Sequence, residues 1–180
     1  MDDDPVREGE LRTSRERLER LYAQVQPGLV RYLSAFTPAY AEDIASVAWT
    51  EVLAALPRFN GTDDEFRRWL YVTARRRVID HHRRGWRRLV VLREPEHSDI
   101  AGHGSEDPAF EESASSEAVA AILESLPREQ AEIVLLRVIG GFSAAEVALI
   151  TDRPAATVRV LQHRALRRLA RELGEGGETR

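Results

Sequence analysis

The stretch SAAEVALITDRPAATVRVLQHRAL, residues Ser143–Leu166, decides the fold of the C-terminal part of the chain. It begins with Ser143 and Glu146, whose spacing is that of a capping box at the start of a helix. The sequence TDRP then predicts a tight turn, because Asp152 tolerates a left-handed backbone and Pro154 suits the start of a new helix. The stretch therefore predicts a short helix, a tight turn and a longer helix, which is a helix-turn-helix arrangement.

The longer helix has an apolar and a basic face at a period of 3.6 residues. The predicted buried face consists of Val158, Leu161, Ala165, Leu166, Leu169 and Leu173. The predicted outer face consists of Thr157, Arg159, Val160, His163, Arg164 and Arg167. Such a helix has the width of the DNA major groove, and planar guanidinium groups suit phosphates. The alternative is a generic helical bundle with a solvated arginine face.

Apolar residues also recur at helical spacing through the N-terminal half. RLERLYAQVQPGLVRYLSAF predicts one long helix or two shorter ones, with a kink at Pro27 and an end at Pro38. AEDIASVAWTEVLAALPRF predicts the next helix, which Pro57 ends. Its predicted inner side consists of Ile44, Val47, Ala48, Val52 and Leu56. Because no β-type alternation is present, we expect an all-α protein.

A basic helix follows a polar loop in this half. NGTDDE, residues Asn60–Glu65, predicts the loop by its composition. In WLYVTARRRVIDHHRRGWRR the predicted core side is Leu70, Ala74 and Val78, with His81 close by. A separate outer stripe consists of Trp69, Arg76, Asp80 and Arg83. A nucleic-acid surface needs such cations for phosphate and a ring for an unstacked base. The alternative is a solvated charged face with Trp69 buried at its edge.

The net charge of −4 conceals a segregated charge distribution. Ten arginines and one acid lie between Phe66 and Arg93, and six arginines without an acid lie between Arg153 and Arg171. Between these blocks, residues 94–117 carry eight acids and no arginine, and their Pro, Gly and Ser content predicts a flexible linker. We therefore expect an acidic tail (1–15), two small helical domains (16–93 and 118–174) joined by this linker, and a short tail (175–180).

The composition also excludes several classes of site. The chain has no cysteine, which excludes disulfides, thiolate zinc sites and cysteine nucleophiles. No apolar run is long enough to insert into a membrane, and the acidic N-terminus does not resemble a secretory signal, so we expect a cytoplasmic protein. An enzyme with a metal site at Asp80, His81 and His82 is a competing hypothesis. Adjacent helical histidines point about 100° apart, and His97 and His103 lie in the acidic linker. We therefore expect no catalytic residue, metal or cofactor.

Both halves of the chain resemble a bacterial RNA polymerase sigma factor of the extracytoplasmic-function class. AEDIASVAWTEVLAALPRFNG with FRRWLYVTARRRVIDHHRR looks like sigma region 2, and LPREQAEIVLLRVIGGFSAAEVALITDRPAATVRVLQHRAL looks like sigma region 4. The resemblance covers about Leu21–Leu173. It implies a non-catalytic protein that binds core RNA polymerase and directs it to promoter DNA. An anti-sigma factor is a further candidate partner.

The resemblance also implies a role for each surface. The C-terminal basic helix would bind the duplex −35 element through Thr157, Arg159, Val160, His163, Arg164 and Arg167. A loop would capture a flipped base of the −10 element through Asn60, Gly61, Thr62 and Asp63. The melted nontemplate strand would lie along Trp69, Arg76, Asp80 and Arg83. The clamp helices of the polymerase would contact Glu42, Asp43, Ser46 and Trp49.

Several positions depart from the family pattern. The clamp-binding motif, often Asp-x-x-Gln-Glu, has Ser46 and Val47 at its last two positions. An asparagine common in region 2 is Arg76 here, and a glycine of the recognition helix is Ala156. These departures leave promoter preference and clamp contact open. A second hypothesis is an independent regulator that uses only the helix-turn-helix, which would normally require a dimer and palindromic half-sites.

Overall fold

A computed structural model describes residues 5–92, 122 and 125–175 of the protein. The helices in these ranges are α1 (Pro5–Ser34), α2 (Ala41–Ala55), α3 (Asp63–Leu92), α4 (Arg128–Val138), α5 (Ala144–Thr151) and α6 (Ala155–Glu175). Short 3-10 turns at Pro38–Tyr40 and Leu56–Arg58 follow α1 and α2. The described residues contain no strand, and the all-α prediction is confirmed. Within the same ranges, none of the helices combines the length and apolar character that crossing a bilayer requires.

Helix α1 is a single helix that runs through Pro27. It begins at Pro5, inside the segment whose composition predicts an acidic tail. Proline suits the first turn of a helix, because an N–H is not needed there. Pro27 removes one hydrogen bond from the interior of the helix. Val25 and Leu29, which flank it, are both buried in the core, and this burial holds the helix together across the proline.

Helix α2 packs one narrow face against α1 and α3. Its buried residues are Ala41, Ile44, Ala45, Ala48, Trp49 and Val52. The prediction that Val47 lies on this inner side is wrong, since its side chain is 45% exposed. The buried arc is centred on Ala45, Ala48 and Val52, and Val47 points away from it. Leu56 is half-buried, but it lies in the 3-10 turn that follows the helix.

Helix α3 contributes the central apolar stripe of the N-terminal half. The predicted core residues Leu70, Ala74 and Val78 are buried, which confirms the helical phase. Phe66 and Tyr71 are buried beside them. The ring of His81 is half-buried and lies 4.5 Å from that of Tyr40, centroid to centroid, so it lines the edge of the core.

The helix-turn-helix is present as predicted. The side chain of Ser143 accepts a hydrogen bond from the Glu146 backbone N–H (3.2 Å), and the Glu146 carboxylate accepts one from the Ser143 N–H (2.8 Å). Asp152 has the left-handed conformation (φ 54°, ψ 49°) that the turn requires. Gly141, between α4 and α5, also has a positive φ of 65°. Residues within the two turns themselves, Gly141 before α5 and Asp152 after it, therefore provide the left-handed backbone conformations that these turns contain.

The buried side of α6 differs from the prediction at one position. Val158 and Ala165 are buried, and Leu161 and Leu169 are half-buried against the core. Leu166, predicted to be buried, is 51% exposed, because it lies about 100° around the helix from Ala165. The side chain of Leu173 lies outside the described residues.

The two halves of the chain pack on one shared core. The same cluster of buried side chains contains Leu29 of α1, Leu70 of α3, Leu136 of α4, Val147 of α5 and Val158 of α6. Sequence patterns indicate two domains but not whether these touch, because they describe each helix face separately. The predicted linker, residues 94–117, lies outside the described residues.

Candidate nucleic-acid interface

The outer face of α6 is a solvent-exposed basic surface. Its exposed side chains are Arg159, Val160, His163, Arg164 and Arg167, and Thr157 is half-buried near the start of the helix. Among the residues that the structure describes, no carboxylate lies within ion-pair distance of the three arginines. The positive charge of this face is therefore not neutralised within the described part of the molecule, and it is available to an anion.

An open basic groove lies beside this face. Its volume is about 420 Å³, and it is lined by Gln130 of α4 and by Arg164, Arg167, Arg168 and Arg171 of α6. The Gln130 Oε1 atom is buried without a hydrogen-bond partner in the described structure. Sequence reasoning missed Gln130, since only tertiary packing brings α4 alongside α6. Four guanidinium groups around one groove form a surface suited to a phosphate backbone.

Local contacts fix the orientation of α6. The hydrogen bond from the Ser143 backbone lowers the pKa of Glu146, so the capping carboxylate stays ionised and holds the start of α5. Arg153, in the turn, donates to the Glu129 carboxylate of α4 at 2.7 Å. The basic face is therefore attached to a turn that is itself tied to α4.

A capping box also organises the loop before α3. The Glu65 carboxylate accepts hydrogen bonds from the Thr62 N–H (2.8 Å) and hydroxyl (3.1 Å), and the Thr62 oxygen accepts from the Glu65 N–H (3.3 Å). The bond from the Thr62 backbone is the main reason that the pKa of Glu65 is lowered. Helix α3 therefore begins at Asp63, two residues before the predicted start. Thr62 and Asp63, two of the predicted base-capture residues, are held by this helix start.

An arginine from α1 holds the same loop from outside. Arg17 donates from Nε to Asp63 (2.7 Å) and from a terminal nitrogen to the Gly61 carbonyl (3.2 Å). A Cβ atom on Gly61 would lie 2.4 Å from the Phe59 ring, so only glycine allows this close approach. Asn60, Thr62 and Asp63 remain exposed. The loop is thus preorganised, with polar groups facing solvent.

Trp69 lies at the boundary between the core and the surface. Its ring stacks on Phe59 with a centroid distance of 5.4 Å and an interplanar angle of 17°. Phe66 meets it edge-on at 6.2 Å. Trp69 is half-buried. The residue that helical phase predicts at the start of the outer stripe therefore also belongs to an aromatic cluster with Phe59 and Phe66. Sequence reasoning missed Phe59, although an aromatic residue directly before the loop was a usable signal.

The other residues of the outer stripe of α3 face solvent. Arg76 and Arg83 are exposed and Asp80 is half-buried. Within the described ranges, neither arginine has an ion-pair partner. The neighbouring Arg77 pairs with Glu51 of α2, which joins α2 to α3. The stripe therefore combines a half-buried aromatic ring with two uncompensated cations.

A different surface is formed by the outer side of α2. Glu42, Asp43 and Ser46 are exposed there together with Val47. Trp49 was predicted on this surface, and that placement is wrong, since the residue is only 4% exposed. Its indole N–H donates to the Gln26 side chain at 2.7 Å, and its ring lies 5.0 Å from that of Tyr22. Trp49 belongs to the buried arc because it follows Ala45 by four residues.

The histidines do not form a metal site within the described ranges. The rings of His81 and His82 are 6.0 Å apart. No group of three His, Asp or Glu side chains suited to a metal ion occurs there. Burial, followed by the charge of Arg128, lowers the pKa of His82, so its ring is neutral at pH 7. His97 and His103 lie outside the described residues.

Comparisons with known proteins match both halves. Residues 21–88 match the family model of sigma-70 region 2, and residues 116–169 match that of sigma-70 region 4. The ECF RNA polymerase sigma factor SigD of Mycobacterium tuberculosis is 34% identical over 172 residues, which are 91% of this chain and 80% of that protein. ShbA of Streptomyces griseus, also named as an ECF RNA polymerase sigma factor, is 34% identical over 88% of this chain and 78% of its own length.

A solved structure has the same fold. The sigma factor RpoE of Bartonella quintana, crystallised with the anti-sigma factor NepR, superimposes with a TM-score of 0.64 at 19% identity. The match covers 88% of this chain and 98% of that one. The sequence relatives and the two family matches agree with this fold. The chain therefore belongs to the sigma-70 family, as a sigma factor of the extracytoplasmic-function class.

Proposed function

We propose that this protein binds core RNA polymerase and directs promoter-specific transcription initiation. Region 4 would read the −35 element, and region 2 would recognise and melt the −10 element. The observation that carries the proposal is the presence of both sigma regions in one chain, each with exposed arginines. As a sigma factor it is an initiation factor and not an enzyme. Because bacterial RNA polymerase acts in the cytoplasm, we infer that this protein does so as well.

The −35 element is assigned to the outer face of α6. Arg159, Val160, His163 and Arg164 are exposed on the side of α6 that faces away from the core. Arginine recognises guanine through two hydrogen bonds in the major groove, and an exposed valine can contact a thymine methyl group. The adjoining groove, with Arg168 and Arg171, would follow the phosphate backbone and fix the register of the helix.

The −10 element is assigned to the loop and outer stripe of α3. Base capture requires a site that is formed before the base arrives, because unstacking a base costs a few kcal/mol. The capping box at Thr62 and the hydrogen bonds from Arg17 supply this preorganisation for the loop Asn60–Asp63. Arg76 and Arg83 would bind the melted strand through its phosphates, with Asp80 between them.

The polymerase contact is assigned to the outer side of α2. Glu42, Asp43 and Ser46 are the exposed polar residues there. Trp49 is buried and packs on Tyr22 of α1. By analogy with the complex of the Bartonella sigma factor, we also infer an anti-sigma factor as a candidate partner. Co-purification with tagged protein from the native host tests that inference.

The alternative of an independent regulator does not account for the N-terminal half. Such a regulator requires only the helix-turn-helix, whereas residues 21–88 match sigma-70 region 2. The two functions differ in their need for polymerase. The decisive experiment mixes the purified chain with core RNA polymerase and maps transcription starts on a genomic library. New starts that share −35 and −10 sequences support the proposal, and the absence of any new start contradicts it.

Promoter binding is expected to weaken steeply with added salt. Each phosphate neutralised by an arginine contributes about −0.9 to the slope of log affinity against log salt concentration. Arg167→Ala should make this slope shallower by about 1 without changing sequence preference. Fluorescence anisotropy of polymerase holoenzyme on labelled promoter DNA, between roughly 50 and 200 mM KCl, measures both slopes. An unchanged slope would show that Arg167 does not contact a phosphate.

Trp69→Ala is expected to impair promoter melting more than duplex binding. Stacking of a base on an aromatic side chain contributes about 1–3 kcal/mol, so open-complex formation should fall by about tenfold. Permanganate reactivity of unpaired thymines measures melting, and a gel-shift assay on duplex DNA measures binding. Trp69→Phe is the matched control, because it keeps a ring against Phe59. Equal losses in both assays would contradict a specific role in melting.

A further inference from the structure

A cavity that is open to solvent is lined by residues of α3, α4 and the end of α1. Its volume is about 500 Å³, and its apolar lining includes Phe36, Val78 and Ile79. Val78 is buried and Phe36 is half-buried, whereas Ile79 is 40% exposed and therefore accessible from solvent. Cavities of about 300–1,000 Å³ with an apolar lining and a few charged groups are of the kind that binds small molecules.

The one acid that the structure describes in the cavity wall is already compensated. Glu132 accepts hydrogen bonds from Arg75 Nε (2.8 Å) and from the Tyr32 hydroxyl (3.1 Å), and its second oxygen contacts a terminal nitrogen of Arg75 at 3.4 Å. Burial, and then the charge of Glu132, raises the pKa of Tyr32 well above its ordinary value, so its hydroxyl remains protonated and donates. This cluster therefore adds no net charge to the cavity.

Two further arginines make the cavity positively charged. Arg83 of α3 and Arg128 of α4 line it, and both are exposed. Neither has an ion-pair partner in the part of the chain that the structure describes. His82 also lines the cavity, and burial, followed by the charge of Arg128, lowers its pKa, so it is neutral at pH 7. An anion in this cavity would therefore meet two uncompensated guanidinium groups.

Arg128 lies beside the apolar wall and at the unfavourable end of its helix. Its guanidinium carbon is 5.4 Å from the centre of the Phe36 ring. Arg128 is also the first residue of α4, where a cation is disfavoured because the N-terminus of a helix carries a partial positive charge. A bound anion would offset both positive charges. The ring of Phe36 next to this guanidinium suits a ligand that combines an apolar body with an anionic group.

We propose that this cavity binds a small amphipathic anion, which has a flat apolar body and a single carboxylate or phosphate group. The apolar body would pack against Phe36, Val78 and Ile79, and the anionic group would pair with Arg83 and Arg128. Arginine binds carboxylate and phosphate alike, through two parallel hydrogen bonds. Binding of this kind requires neither promoter DNA nor polymerase, so it goes beyond the proposed function.

The absence of cysteine allows the cavity to be probed through one introduced thiol. Ile79→Cys places the thiol in the cavity wall of the full chain, and mass spectrometry measures the rate of its alkylation by iodoacetamide. The probe is naphthoate, which has two fused aromatic rings and one carboxylate. At a concentration about ten times its Kd, mass action leaves roughly one site in ten free, so alkylation should slow about tenfold. Leu149→Cys, exposed on α5 and outside the cavity, should react at the same rate with and without naphthoate.

Matched probes separate the contributions of charge and apolar contact. Naphthamide has the same rings without the charge, and it should bind at least about tenfold more weakly, the size expected for a hydrogen bond to a charged group. Inorganic phosphate has charge without rings, and it should give no protection at the concentration at which naphthoate protects. Naphthyl phosphate distinguishes the two head groups, since stronger protection than that by naphthoate identifies a phosphate ligand and weaker protection a carboxylate ligand.

A charge-removing variant tests the assigned cation. Arg128→Ala, combined with Ile79→Cys, should weaken naphthoate binding about tenfold. Arg20→Ala is the matched control, because it removes one positive charge from an exposed position of α1 outside the cavity. The comparison of naphthoate with naphthamide uses a single protein, so it does not depend on how a substitution affects folding. If Ile79→Cys fails to fold, calorimetric titration of the two probes into the unmodified chain replaces the alkylation assay.

The proposal is overturned if neither naphthoate nor naphthyl phosphate protects the thiol at position 79. Equal protection by naphthamide would show that the cavity does not recognise an anion, and undiminished protection in Arg128→Ala would show that the cation is wrongly assigned. Equal protection of Leu149→Cys would show that the probe acts on the reagent or on the whole surface. Protection by a short single-stranded oligonucleotide alone would assign the cavity to nucleic acid instead of a small molecule.

Discussion

Replacing Arg159 and Arg164 together by alanine is expected to lower promoter affinity by at least about 30-fold. A bidentate contact between arginine and a base contributes about 1–3 kcal/mol, and two such contacts at the lower limit give about 2 kcal/mol. Both residues are exposed on α6 and have no ion-pair partner among the described residues. Their removal should therefore leave the fold unchanged and affect only what binds to this face.

The control variant removes two positive charges from a different surface of the protein. Arg20 and Arg31 are exposed on α1, and their double replacement by alanine lowers the net charge by the same amount. Holoenzyme binding to a cognate promoter and to the same DNA with a scrambled −35 element measures specificity. We expect the α6 variant to lose most of the difference between the two DNAs, and the α1 variant to keep it. If both variants lose affinity equally for both DNAs, the arginines of α6 act only through general electrostatic attraction.

Local chemistry made the helix-turn-helix predictable from sequence. The capping box at Ser143 and the left-handed Asp152 depend on residues within a few positions of each other, and both are as predicted. The wrong predictions of burial concern residues at the edge of a buried helix face. Val47 and Leu166 are apolar residues at the margins of such faces, and helical periodicity places margins poorly, because the neighbouring helix decides how far burial extends.

The residues of the candidate site that come from other helices could not be predicted from the sequence. The basic face of α6 follows from helical phase alone. Five of its predicted residues are exposed, namely Arg159, Val160, His163, Arg164 and Arg167. Gln130 and Arg17 each reach the site from another helix, so no local pattern indicates them. The contact between Arg75 and Glu132 joins residues 57 positions apart, and no periodicity could indicate it.

Trp49→Ala is expected to destabilise the protein by about 3–5 kcal/mol, the cost of removing a large aromatic side chain from a core. Trp49 is 4% exposed, donates a hydrogen bond to Gln26 and packs against Tyr22 and Phe66. For a protein of this size the loss corresponds to a fall in melting temperature of roughly 6–20 °C. Thermal unfolding followed by circular dichroism measures it.

Two further variants distinguish a core role of Trp49 from direct contact with polymerase. Trp49→Phe keeps an aromatic ring but loses the bond to Gln26, so we expect a loss of about 1 kcal/mol and unchanged affinity for core polymerase. Val47→Ala changes an exposed residue of the same helix, so it should leave stability nearly unchanged. If Val47 lies within the polymerase contact, its replacement should weaken binding. A Trp49→Phe protein that melts like wild type but binds polymerase weakly would return Trp49 to the contact surface, because only a direct contact separates affinity from stability in this way.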